Sequence, residues 1–322
     1  MKQIEEMYEE SGNKVTLVAH SMGAPTSLYF LNTDNGIVTQ QWKDQYIHAY
    51  VTLSGAWAGS PILLQEVISG NNLGLPGDIL DKFFRSISRT LESSVWLFPY
   101  PDIFKSTIVS TPTRNYNAND YMTLFKDIDY PTGYSMYKGV ENINRGFPDP
   151  KVHTHCYWGL GTKTPLSYYY NKSLPVDTGY DPSGTNYSDG DGRVNDIASE
   201  VCLRWANTEH KTFEGVTHGN MVTNVTVLDA IAKVVTNLTA EGSKFHPKYH
   251  HDRNKDDMFN EMTNLCFTSC SSMQRMVRKL SQRMVSIQSK SAFSNIKLAV
   301  DNIGRLSKLM AAMYAHIVCC MV

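Results

Sequence analysis

The chain has 322 residues, 42% hydrophobic and 19% charged, with a net charge of −1, a balance expected of a globular protein with one large domain or one domain and an appendage. Near-neutrality excludes a nucleic-acid footprint over the chain as a whole. The charge is unevenly spread: residues 241–322 carry 12 Lys and Arg against 6 Asp and Glu, together with four of the six cysteines. A boundary is therefore placed near Thr239-Ala-Glu-Gly-Ser243, dividing a 1–240 domain from a 241–322 tail.

The first segment, MKQIEEMYEESG, is charged and helix-prone with no apolar h-region, so no signal peptide is read there. A short, fully buried strand is predicted from Val15, apolar or β-branched over four residues, and it leads into His20-Ser21-Met22-Gly23. Met22 to Asn32 reads as the helix that follows. Strand, sharp turn with serine at its apex, then helix is the nucleophile-elbow arrangement, G-x-S-x-G in general form. Ala19 stands where the first glycine is usual and Gly23 matches. A serine capping an ordinary βα turn is the bland alternative. In the elbow reading the backbone N–H of Met22, at the helix N-terminus, faces a developing oxyanion.

Further strands are predicted at Ile47 to Leu53, Cys156 to Leu160 and His210 to Glu214, with helices at Pro61 to Ser69 and Val225 to Leu238. The alternation calls for an α/β fold with a mostly parallel sheet. Between about residues 70 and 150 the alternation stops. That stretch is rich in aromatics (Trp96, Phe98, Tyr100, Tyr116, Tyr121, Phe125) and punctuated by Pro and Asn, and it reads as an inserted cap rather than sheet. There are no internal repeats.

Partners for Ser21 follow in order. Asp189 and Asp191 lie in the glycine-flanked loop Ser188-Asp-Gly-Asp-Gly-Arg-Val-Asn195, and His218 lies in a loop between the last strand and the closing helix. Ser…Asp…His is the α/β-hydrolase order. In this reading His218 takes the Ser21 proton and the acid orients the imidazole. A solvated turn is the alternative for the acidic loop. An EF-hand is excluded, because Arg193 and Val194 stand where a ligand and the invariant glycine are required.

Ala19-His-Ser-Met-Gly23, Leu53-Ser-Gly-Ala-Trp-Ala-Gly59, Ser94-Val-Trp-Leu-Phe-Pro-Tyr100, Thr111-Pro-Thr-Arg-Asn-Tyr116, His155-Cys-Tyr-Trp-Gly159 and Asp189-Gly-Asp-Gly192 occur in that order. Together, over roughly residues 5–238, they resemble the lecithin:cholesterol acyltransferase family, most of all its lysosomal phospholipase A branch. The resemblance implies an α/β-hydrolase fold with Ser21 as nucleophile, Asp191 as acid and His218 as base. It implies a Cys156–Cys202 disulfide and a lysosomal or secreted setting. It also implies a phospholipid ester substrate at a membrane surface, with no metal or organic cofactor. Relative to the family pattern the chain opens one helix before the nucleophile strand. The early strands, the loop supplying the second oxyanion donor and the membrane-binding lid are then expected upstream of this sequence, and turnover by the 322-residue chain is expected to be low. Two other functions fit some of the residues: a non-catalytic lipid- or partner-binding remnant, and a general soluble esterase.

N-x-S/T sequons at Asn171, Asn186, Asn224 and Asn237 are candidate glycosylation sites. No 18-residue apolar window exists, and Leu309 to Val322 is too short to span a bilayer. In the tail, Met262, Leu265, Cys266, Met273, Met276, Val277, Leu280 and Met284 recur at helical spacing among Arg275, Arg278, Lys279 and Arg283. That pattern suits a basic amphipathic helix on anionic lipid or a partner, a helix packed on the hydrolase body, or a segment without defined fold. Cys266 and Cys270 have helical spacing but no paired His or Cys nearby, so no metal site is expected there.

Overall fold

Two strands and four helices wind residues 1–71 into one half of a parallel sheet. Lys2–Ser11 (α1) ends at Gly12, whose φ of 69° is the left-handed cap that glycine adopts without strain. Val15–His20 (β1) follows, then Gly23–Leu31 (α2), Gln40–Tyr46 (α3), Ile47–Leu53 (β2) and Ile62–Ile68 (α4). Thr39 caps α3, its side chain accepting the Trp42 N–H at 3.1 Å. The computed structural model describes residues 1–71 and 79–240, the side chains of 79–83 and 237–240 excepted. The tail features, including Met262 to Met284, Cys266, Cys270, Cys319 and Cys320, lie outside the described residues, as do the side chains of Asn237 and Leu238.

The second half comprises Ile79–Ser88 (α5), Glu92–Trp96 (α6), Val109–Ser110 (β3), Asn115–Tyr116 (β4), Tyr121–Asp127 (α7) and Pro131–Val140 (α8). It continues through Thr154–Leu160 (β5), Thr164–Tyr169 (β6), Gly184–Ser188 (β7), Asp196–Ser199 (α9), Thr208–Glu214 (β8) and Val225–Ala240 (α10). The main sheet has the order β1-β2-β5-β8 and every pairing in it is parallel. This is the expected α/β architecture. Its central strand β2 is buried at six of seven positions, as a strand covered on both faces must be.

Two expectations need correction. β1 is not fully buried: it lies at one edge of the sheet, and Val18 and His20 are only partly buried. The 70–150 stretch is not purely cap: β3 and β4 lie within it and join β6 and β7 in a second sheet of order β4-β3-β6-β7. Its aromatics are mostly core. Phe98 stacks on Phe125 at 5.6 Å and meets Tyr121 at 5.2 Å, and Phe98, Tyr116, Tyr121 and Phe125 are all buried. Packing of rings against rings, worth about 0.5–1.5 kcal/mol per pair beyond burial, explains why this segment is so aromatic.

Cys156 on β5 and Cys202, in the turn Glu200–Arg204 after α9, form a disulfide buried beneath the sheet. This is the pairing that the sequence resemblance implies. Among the described residues no helix is long and apolar enough to cross a membrane.

Candidate active site

The carboxyl ends of β1, β5 and β8 converge, the usual place for a site in an open parallel sheet. Ser21 follows the last residue of β1 with φ at 57°, a left-handed conformation that costs a non-glycine residue on the order of 1 kcal/mol. Neighbouring backbone holds it there. The Ser21 N–H donates to the Leu53 carbonyl at the end of β2 (2.9 Å), and the Ser21 carbonyl accepts from Ala24 (3.2 Å) and Ala56 (3.3 Å). Met22 then occupies the N-cap of α2, so its amide stands at the positive end of that helix.

The acidic loop is clamped by its own polar groups. Asp189, exposed, accepts at Oδ1 from the amides of Gly161 (2.8 Å) and Gly190 (2.7 Å), tying the loop to the end of β5. Asn195, fully buried, donates through Nδ2 to the Pro165 carbonyl (3.1 Å) and the Ser188 hydroxyl (2.8 Å). Asp191 is thereby held in the interior at 1% exposure. Its Oδ1 accepts from the amides of Arg193 (2.9 Å) and Val194 (2.8 Å), while Oδ2 lies 2.7 Å from His218 Nδ1. Burial pushes the Asp191 carboxyl up, but the hydrogen bond and charge of His218 and the Val194 amide outweigh it and hold the group below its ordinary value. The loop approaches this closely because Gly159 on β5 has no side chain: a Cβ there would come within 1.9 Å of the Val216 carbonyl and 3.2 Å of Asp191.

His218 opens the turn His218–Val222 after β8 and is buried. Its own N–H donates to the Asp191 carbonyl at 2.8 Å, and its Nε2 stands 2.8 Å from Ser21 Oγ. An unbroken chain of hydrogen bonds therefore runs from Ser21 through His218 to Asp191, within the range a nucleophile–base–orienter arrangement requires. Asp189 has no part in it.

His20 enters the site without having been singled out as more than part of the motif. Its Nε2 donates to the His218 carbonyl at 3.0 Å, and the two rings lie 4.6 Å apart. Desolvation and the neighbouring His218 lower its pKa to about 3, so it stays neutral and braces the His218 backbone without competing for charge. Its position just before the serine was the available signal.

A second perturbed group lies on α4. Glu66 on α4 is buried, accepts from the Ser88 hydroxyl, and is pushed by burial up to about 7 against its ordinary 4.5. A carboxyl whose folded-state pKa is raised stays protonated in the folded chain while the unfolded chain ionises. Its stabilisation is whole below about pH 4.5 and is lost as pH rises through about 7. About 2.5 units at 1.36 kcal/mol each amount to roughly 3 kcal/mol. Glu66→Gln should therefore be more stable than the parent at pH 7.5 and no more stable at pH 4.5. Urea unfolding of both proteins at the two pH values measures this, and equal differences at both would refute it. Taking the difference removes His20, whose lowered pKa acts oppositely, costing stability as pH falls from about 6.5 towards 3.

Comparison with known proteins bears on the whole of this region. The family model for lecithin:cholesterol acyltransferase matches residues 1–239. The chain belongs to the lecithin:cholesterol acyltransferase family. A lysosomal phospholipase A and acyltransferase of Mus musculus is 37% identical over 241 residues, covering 73% of this chain and 56% of that protein. A phosphatidylcholine-sterol acyltransferase of Gallus gallus is 35% identical over 229 residues (68% and 53%), and that of Homo sapiens 30% over 254 (76% and 55%). This family member thus spans about half the length of the curated relatives it matches. The matched segment includes every residue of the Ser21–His218–Asp191 chain.

Of the sequons, Asn171 and Asn186 are exposed beside or on the second sheet. Asn224 caps α10, its Oδ1 accepting from the amides of Thr226 (2.9 Å) and Val227 (3.3 Å).

Proposed function

We propose that this family member carries the acyl-transfer centre of a phospholipase A/O-acyltransferase. Ser21 is the nucleophile, His218 the general base and acid, and Asp191 the residue that orients and charges the imidazole. The hydrogen-bond chain at 2.8 and 2.7 Å carries the reading. Ser21 Oγ attacks the ester carbonyl of a glycerophospholipid as its proton passes to His218 Nε2. The charge that develops on the carbonyl oxygen meets the Met22 amide at the α2 N-terminus. Collapse breaks the ester bond, and His218 returns the proton to the leaving alkoxide, which departs as lysolipid. Water or an alcohol then attacks the acyl-Ser21 ester with the same proton path in reverse. Nucleophile, base and orienting acid are all side chains, so the reading requires no metal or organic cofactor.

The names of the relatives support a phospholipid ester as substrate, and a lysosomal or a secreted setting is proposed with it. Asn171, Asn186, Asn224 and Asn237 are then glycan acceptors.

A fluorophosphonate lipid probe tests the reading directly. It should label Ser21 in the 322-residue chain, identified by peptide mass, and Ser21→Ala should abolish the label. Preference for phospholipid in anionic liposomes over short water-soluble esters is expected. The opposite preference would indicate a general esterase, and a folded chain inert to the probe would indicate a non-catalytic lipid-binding protein.

A further inference from the structure

At the opposite end of the main sheet from Ser21, parallel register gathers three ligand-type side chains that the acyl-transfer reading leaves unused. His153 immediately precedes β5 and His155 is its second residue, so the two-residue alternation of a strand puts both on one face. Glu209, second residue of β8, is the direct partner of His155 across the parallel ladder and shares that face. The His153 and His155 rings lie 4.4 Å apart. His153 Nε2 is 3.0 Å from Glu209 Oε1, and His155 Nδ1 is 3.8 Å from Glu209 Oε2. One donor atom from each of the three residues falls within 4.8 Å of the other two.

From this juxtaposition we propose that His153, His155 and Glu209 form a binding site for a borderline-soft divalent transition metal such as Zn²⁺. A tetrahedral ion bound at 2.0–2.1 Å separates its ligands by about 3.3 Å, against at most 4.8 Å between one donor of each residue here, and rotation of the exposed His153 and Glu209 side chains closes the difference. Two imidazole nitrogens and one carboxylate select zinc, copper or nickel over magnesium or calcium, which take all-oxygen shells. His153 and Glu209 side chains are 37% and 67% exposed, whereas His155 is 10% exposed. The buried histidine anchors the site, and water reaches the remaining coordination positions from the open side.

The location determines the consequence. Among the described residues β8 is an edge strand paired only with β5, and a shared metal ties the two at their amino ends. Seven-residue strands put this site about 20 Å from the carboxyl ends that carry His218. The metal therefore acts on stability and leaves acyl transfer alone.

The test uses the 322-residue chain stripped of metal, with Zn²⁺ added in calorimetric titration and in thermal unfolding. Zinc should bind and raise the Tm of the parent, and Mg²⁺ should do neither. His153→Ala and Glu209→Gln replace exposed side chains and should melt near the parent when metal-free. Each should weaken the strongest zinc site at least about tenfold and lose the zinc-dependent rise in Tm. Fluorophosphonate labelling of Ser21 without zinc should match the parent in both variants. Unchanged zinc affinity in His153→Ala and Glu209→Gln, as expected if zinc sits on tail cysteines or on His218, overturns the proposal. So does a parent whose Tm ignores zinc.

Discussion

In any form of this protein that folds and turns over phospholipid, Ser21→Ala and His218→Ala are each expected to reduce hydrolysis to background, and Asp191→Asn to reduce it by about 10⁴-fold. The reason differs between them. Without Ser21 no acyl-enzyme forms. Without His218 the proton on Oγ has no acceptor at the 2.8 Å contact. Asparagine at 191 keeps the shape but offers an amide N–H towards His218 Nδ1, where a carboxylate oxygen now sits at 2.7 Å, and so favours the wrong tautomer. Asp189→Asn is the matched control. Asp189 lies outside the hydrogen-bond chain, and its Oδ1 accepts from the Gly161 and Gly190 amides, bonds that an asparagine carbonyl oxygen can keep. Its loss should be tenfold or less, on the order of one hydrogen bond. The readouts are hydrolysis of anionic liposomes and the rate of fluorophosphonate labelling. A ranking in which Asp189→Asn is worse than Asp191→Asn would assign the acid to the wrong residue.

The disulfide gives the second large effect. Cys156 and Cys202 are 46 residues apart, and their link joins the central strand β5 to the turn after α9. Removing a closed loop of that length from the denatured ensemble stabilises the fold by about 4 kcal/mol in the chain-entropy model. For a domain of this size that corresponds to a Tm lower by roughly 10 °C. Cys156→Ala/Cys202→Ala, which leaves no stray thiol at the site, should show that drop in thermal unfolding. The parent under strong reductant should approach the variant. Peptide mapping without reduction should recover the linked pair from protein made in an oxidising compartment. A variant melting with the parent would mean that the bond constrains nothing the fold does not already constrain.

Much of the fold was readable because its signals are local. Ile47 to Leu53 is a strand because an almost wholly buried run must be apolar or β-branched. The elbow was readable because a left-handed serine needs small neighbours, here Ala19 and Gly23. The order of Ser21, the acidic loop and His218 was on the page as well. The second sheet was not. β3 and β4 are two residues each, and β7 has no buried position, so no hydrophobic period marks them and only their partners make them strands.

What the residues alone determined, then, is the α/β class, the main strands and a serine, an acid and a histidine in hydrolase order. Sequence by itself left Asp189 and Asp191 equivalent save by family resemblance. The tertiary structure decided between their environments, because a carboxylate bridging two glycine amides at the surface and one buried against His218 differ in burial and partner, properties that no local pattern encodes. The same holds for His153, His155 and Glu209. Their closeness depends on the register of β5 against β8, and register is set by packing between segments more than 50 residues apart.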